Sequence, residues 1–136
     1  MIHSAEEFLR LRQSEDPDEH GRASSDEAPL GVWISVIEQF PEMRSWVAHN
    51  KTIPLEVLER LAIDRDAEVR ATVASKRKLS TALQTLLVAD TDASVRERLA
   101  CNAKCESEIL LKLALDPEEF VRSAATKRLQ ERENAV

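Results

Sequence analysis

The chain has 136 residues, 43 % of them hydrophobic, but aromatics make up only 4 %, glycine occurs twice and tyrosine is absent, a profile that favours helices. Acids outnumber bases 25 to 19, which argues against a dedicated nucleic-acid binder drawing its affinity from a basic excess. Two cysteines are too few for a disulfide framework, no apolar run approaches bilayer length, and no basic and apolar leader precedes the acidic N-terminus; the expectation is a cytoplasmic protein with no membrane partner.

Along the chain, the first predicted element is the amphipathic segment SAEEFLRLR, with Ser4 and Glu7 spaced as a capping box and Phe8 and Leu11 on one face. SEDPDEHGRASSDEAP follows, rich in acids and turn formers. Residues 1–30 hold eight acids against three bases, leaving seventeen against sixteen beyond them. Residues 1–28 therefore read as an N-terminal cap or as an acidic interaction arm.

From residue 29 the chain repeats itself. PLGVWISVI from Pro29 matches PLEVLERLA from Pro54 at an offset of 25, and LAIDRDAEVRATVASKRKL, residues 61–79, returns in altered form from residue 86. Thereafter the offset is 26: Asp64, Asp90 and Asp116 form one column, Val69, Val95 and Val121 a second, and Arg70, Arg96 and Arg122 a third, with Met43 and Arg44 extending the last two backwards. Val47, Val73, Leu99 and Ala125 align further on, and Val57 and Leu61 recur as Leu83 and Leu87, then as Ile109 and Leu113. This spacing is helical. Two helices of about ten residues each fill such a unit, and pairs this short hold only when stacked on similar neighbours.

The punctuation agrees. Asp116, Pro117 and Glu119 predict an N-cap, a first-turn proline and a supporting acid, with Asp64 and Asp90 in the same cap column. Ser80, or Thr52 one unit earlier, is positioned to open the other helix. ATKRLQEREN from Ala124 supplies a polar final helix.

VAHNKTIPLEVLERLAIDRDAEVRATVA, with its Asp, Val-Arg, Val-Ala, Asn and Pro landmarks ahead of a leucine-rich segment, resembles the bacterial leucine-rich repeat variant family. The resemblance covers about residues 29–130 and implies a HEAT-like helical solenoid in which α-helices alternate with tighter 3₁₀ helices. Lys76 departs from the pattern, standing where Asn50 and Asn102 stand in other units. The family's first described member carries a cysteine-ligated iron–sulfur cluster ahead of its repeats; residues 1–100 contain no cysteine here, so no cofactor is carried over.

The candidate site residues divide into a ladder and a surface. Asp66, Asp92 and Glu118 stand four residues before Arg70, Arg96 and Arg122, the acid-first order of a helical ion pair. With Asp64, Asp90 and Asp116 nearby, the arginines read as a structural ladder; an anion site is the alternative. Arg44 lacks the preceding acid, because Phe40 replaces it, and is expected to face a ligand. Lys76, Arg77 and Lys78, with Lys51, Lys104, Lys127 and Arg128 near equivalent turns, read either as a basic contact edge or as complements of helix C-termini. Trp33 shares a column with Leu58 and Leu110 and is expected in the core. Trp46 shares one with Thr72, Arg98 and Ala124, and beside Arg44, His49 and Asn50 it makes a candidate binding hot spot, or else packs under the N-terminal cap. Cys105 aligns with Ile53 and Leu79 and reads as core; with His3, His20 and His49 dispersed, no metal site is expected.

These readings combine into an all-α fold: a right-handed α-solenoid of about three and a half 26-residue, two-helix HEAT-like repeats over residues 29–136, with residues 1–28 as a helical cap. No catalytic motif occurs, so the expected function is a non-enzymatic scaffold that binds another protein through Arg44, Trp46, His49, Asn50, Lys76, Arg77, Lys78 and Asn102. The alternative is a nucleic-acid-binding, base-processing protein using the edge around Lys76–Lys78.

Overall fold

In the computed structural model, which describes residues 1–135, every regular element is helical and no strand occurs among the described residues. The helices are α1 (Ala5–Gln13), α2 (Pro17–Ser25), α3 (Leu30–Gln39), α4 (Arg44–His49), α5 (Leu55–Ala62), α6 (Ala67–Ala74), α7 (Thr81–Leu87), α8 (Ala93–Cys101), α9 (Ser107–Leu113) and α10 (Glu119–Asn134). Pro41–Met43 forms a single 3₁₀ turn. The alternation of α and 3₁₀ helices implied by the family resemblance is absent from α5–α10, all of which are α-helical. Met1–Leu61 is one compact unit, and a second begins at Ala62.

In the first unit, the Ser4 side chain caps α1 by accepting from the Glu7 amide at 3.0 Å. Glu6 and Glu7 in the first turn and Arg10 and Arg12 in the last complement the helix dipole. Phe8 and Leu11 are fully buried, and Phe8 meets the equally buried Trp33 edge-on, with ring centroids 5.5 Å apart. The acid-rich stretch that follows contains a second helix. Asp16 accepts from the Asp18 amide at 2.9 Å and Pro17 occupies the first turn, so α2 forms despite an interior Gly21 and with Ala23 as its buried residue. α1 packs on α2 and α3, and α2 packs on α4.

In the second unit α6, α8 and α10 pack in succession, α7 touches α6 and α8, and α9 touches α8 and α10. The repeat columns supply this row: Val69, Val95 and Val121, then Val73, Leu99 and Ala125, are all buried. Leu83, Leu87, Ile109 and Leu113 close it from the other helices, each large apolar side chain contributing roughly 1.5–3 kcal/mol.

Helix starts lie two residues later than the sequence predicts. Asp66, Asp92 and Glu118 occupy the N-cap positions, and Asp66 and Asp92 accept from the amides of Glu68 and Ser94 at 2.9 and 2.8 Å. Asp64, Asp90 and Asp116 sit before the caps, each accepting the amide two residues on at 2.9 Å. They form the approach turn, and Pro117 precedes the cap of α10. Ser80 caps α7 through the Leu83 amide at 3.2 Å. Thr52 lies ahead of α5, which starts at Leu55; its hydroxyl donates to Asn50 Oδ1 at 2.6 Å, with the Asp26 carbonyl a more distant acceptor at 3.3 Å.

Asn50 and Asn102, expected on a binding surface, are buried instead. Asn50 ends α4, and its Nδ2 donates to the carbonyls of Ala23 and Asp26 at 2.9 and 3.0 Å while its Oδ1 accepts from the Thr52 amide at 2.8 Å. Asn102 ends α8 and repeats the device: Nδ2 donates to Ala74 and Lys76 carbonyls, and Oδ1 accepts from the Lys104 amide, all at 2.8 Å. A helix leaves its last carbonyls without internal partners; in each unit a carboxamide from the next pair supplies them.

Asn102→Ala strands two carbonyls and an amide, and is expected to destabilise the protein by about 2–4 kcal/mol, whereas Arg77→Ala at an exposed turn should stay within about 0.5 kcal/mol. Urea denaturation of the two variants checks this, and equal midpoints would refute the bridging role.

Candidate functional site

Two groupings of polar side chains stand out. The first is the arginine ladder of the second unit. Arg70 Nε and Nη2 donate to Asp90 Oδ2 and Oδ1 at 2.9 and 3.2 Å, while Nη1 donates to the Asp64 carbonyl at 2.7 Å. Arg96 repeats this with Asp116 at 2.7 and 3.2 Å and the Asp90 carbonyl at 2.6 Å. Each guanidinium thus ties its own approach turn to the aspartate of the next pair, 20 residues on. The expected pairing with Asp66 and Asp92, four residues back, is not made, because those carboxylates hold the amides at their own helix starts.

The forks are bidentate and sheltered, with side-chain exposures of 15 % and 8 % for Arg70 and Asp90, and 12 % and 6 % for Arg96 and Asp116. Burial alone would raise the Asp116 carboxyl, but the Arg96 hydrogen bonds, the Glu118 amide and the nearby guanidinium charges together hold it below the ordinary range. Hydrogen bonds to Asp90 and Asp116 raise the pKa of Arg70 and Arg96 respectively. Each guanidinium commits Nε, Nη1 and Nη2 to these partners, and the sheltered pairs form a structural clamp. Arg44, expected to face a ligand, is half-buried at the start of α4 and is engaged within the protein.

The second grouping is a groove in the first unit, about 270 Å³ in volume, lined by Arg12, His20, Ala23, Ser24, Trp46, His49 and Lys51. Trp46 is 39 % exposed on α4. The Arg12 guanidinium carbon lies 3.4 Å from the centre of its ring, and the His49 ring is tilted against it at 5.3 Å. Arg12 also hydrogen-bonds the His20 ring. The Lys51 amide donates to the Ser24 carbonyl at 2.9 Å, and together with the Asn50 bridges this holds the α2 and α4 walls together. Trp46 therefore both packs under α1 and keeps an exposed edge. No carboxylate lines the groove, although it lies in the acidic part of the chain; an aromatic face ringed by cationic and imidazole groups suits carboxylates.

The structure brings Trp46 and His49 together as the sequence suggests, but Arg44 and Asn50 are not among the lining residues. The basic edge around Lys76 is not continuous in character. Lys76 is half-buried, and burial lowers its ammonium pKa, while Arg77, Lys78 and Lys104 are exposed. Lys127 and Arg128 lie within α10, and Arg128 donates to the Cys101 carbonyl at 2.8 Å. Nothing local in the sequence marks Arg12, His20 and Ser24, which lie on two helices, α1 and α2, and meet the Trp46 groove only in the fold. Gln84 was also missed: it is buried in the Trp33, Leu58 and Leu110 column, donating to the Leu79 carbonyl at 3.0 Å and accepting from the Glu106 amide at 2.8 Å. A single amide in an apolar column was its only signal.

Among the described residues no cluster of three or more His, Cys, Asp or Glu side chains could hold a metal ion, and no helix is long and apolar enough to cross a membrane. Cys105 is buried in the core as expected, and burial pushes its thiol up to about 11; Cys101 is exposed. No protein-family model, curated protein or solved structure matches the chain.

Because the folded Asp116 pKa is depressed, its contribution to stability is fully present above the unfolded value of about 3.9 and is lost as pH falls through the folded value. Asp116→Asn should cost about 3 kcal/mol at neutral pH and flatten the acid limb of the stability profile, as read by urea denaturation between neutral and acid pH; an unchanged limb would contradict the clamp. With a thiol-reactive chromophore at mildly alkaline pH, Cys101 should react in the native protein and Cys105 only after unfolding, so two fast equivalents would contradict the assigned burial.

Proposed function

We propose that this protein is a non-enzymatic helical-repeat scaffold that binds an acidic segment of another protein in the groove around Trp46. The carrying observation is the groove's lining: an exposed tryptophan edge, Arg12, His20, His49 and Lys51, with no carboxylate. Tryptophan and arginine are the side chains most often found at binding hot spots, and a rim of cations selects acidic partners and speeds their encounter.

The right-handed solenoid expected from the repeats belongs to the same proposal. Its support is the bridging carboxamide found in each unit and the repeated arginine clamp of the second. The nucleic-acid reading has less support, since Lys76 is half-buried and Arg128 is tied to Cys101.

Probing the full chain against an array of acidic, neutral and basic peptides is expected to select acidic ones. Lys51→Glu should weaken that binding about tenfold or more, near 1.4 kcal/mol, without changing the melting temperature, and Trp46→Ala should weaken it as much while lowering the melting temperature, because it also removes the contacts with Arg12 and His49. Selection of neutral peptides, or retention of binding in both variants, would end the proposal; salt-sensitive capture of duplex DNA in the same experiment would favour the nucleic-acid reading.

A further inference from the structure

Arg12 sits differently from the other arginines of α1 and α2. Arg10 pairs with Glu19, and Arg22 pairs with Glu7 and Asp26, but Arg12 has no carboxylate partner among the described residues. Its guanidinium lies over Trp46, 3.4 Å from the ring centre, and its Nη1 meets both ring nitrogens of His20, with Nδ1 at 3.1 Å. Its Nε is buried and finds no acceptor. Two contacts therefore hold the guanidinium in place: the face of an indole and the lone pair of an imidazole.

The second contact depends on one proton. A guanidinium has donors only, so His20 accepts from Arg12 only while it is neutral; an imidazolium also has donors only. A proton gained by the ring sets donor against donor and cation against cation. Imidazoles gain that proton between about pH 8 and about pH 5, and His20 is exposed to the water that delivers it. The charged groups around the ring do not replace the lost bond. Arg12 faces it from α1, His49 and Lys51 share the groove from the α4 side, and on α2 itself Asp16 is committed to the Asp18 amide and Glu19 to Arg10 and Ser14.

We propose that His20 is a proton-operated latch on the groove: neutral, it holds Arg12 over Trp46; protonated, it releases Arg12 to a carboxylate of the bound segment and uncovers the indole face. The ligand in this inference rests on the acidic-segment reading of the groove, whereas the latch rests on the Arg12, Trp46 and His20 geometry alone. Capture of acidic ligands is then stronger in acid. Linkage makes the effect reciprocal, so a bound acidic ligand holds the proton on His20.

Side-chain NMR of the full chain across that pH range tests the latch. Protons held over an indole are shifted upfield by its ring current, and the Arg12 side-chain resonances are expected to lose that shift as pH falls, with the midpoint of the His20 imidazole. His20→Gln keeps an acceptor but cannot gain the proton, so it should keep Arg12 over Trp46 throughout, while His49→Gln should leave the transition in place. Calorimetric titration with an acetylated oligo-aspartate peptide, still ionised at about pH 5, reads the consequence. Its affinity should rise about fivefold or more between about pH 8 and about pH 5, and His20→Gln should lose most of that rise. Arg12 resonances that stay put while His20 titrates, or that move alike in His20→Gln, overturn the latch, as does a pH-dependent affinity that His20→Gln leaves intact. Peptide that binds at no pH ends the acidic-segment reading instead, and the Arg12 resonances still decide the latch.

Discussion

Short helices end in carbonyls that nothing inside them can satisfy, and in this protein that constraint accounts for both buried asparagines, Asn50 and Asn102. Helices of six to nine residues are too short to persist alone, and α2, α6 and α8 are each closed by the pair that follows. Asn50 does this for α2 and Asn102 for α6. Arg128, in the same 26-residue column, does it for α8 through Cys101, and Arg132 adds bonds to the carbonyls of Ala103 and Cys105. One column of the repeat therefore carries the linkage at helix ends. The Arg70 and Arg96 clamps carry a parallel linkage at helix starts.

The two linkages differ in electrostatic character. A carboxamide is neutral, has both donors and an acceptor, and suits a fully buried position where an ammonium would pay heavily for desolvation. The guanidinium clamps sit where some exposure remains, and each brings its own counter-ion. Such pairs contribute little net stability over an apolar substitute but are costly to break, which gives them a role in fixing register.

Much of the architecture was legible because apolar spacing obeys a period of 26 and the helix period within it. Val69, Val95, Val121 and Leu99 lie where that arithmetic puts them. What escaped were the partners. Asn50 and Asn102 looked like surface residues because asparagine at a helix end is common in solvent; only the approach of the preceding helix, 24 to 28 residues back, reveals the burial. The ladder's acid was sought four residues away, where helical geometry favours it, yet those carboxylates were already committed to capping. α2 was hidden by acids, glycine and serines that signal turns when read locally, while its Asp16 and Pro17 start carried the opposite message. The Trp46 groove was half legible, since the odd aromatic in a polar column marked the place, but Arg12 and His20 reach it only through folding.

Gln84 gives the repeats individuality. Its amide answers the Leu79 carbonyl and the Glu106 backbone at once, within a column that elsewhere holds Trp33, Leu58 and Leu110. A unit transplanted to another place in the series would bring a glutamine to where no such backbone groups wait, or leave them facing a leucine. The modules are thus not interchangeable parts, because this one carries a side chain cut to the backbone groups of its own two neighbouring turns.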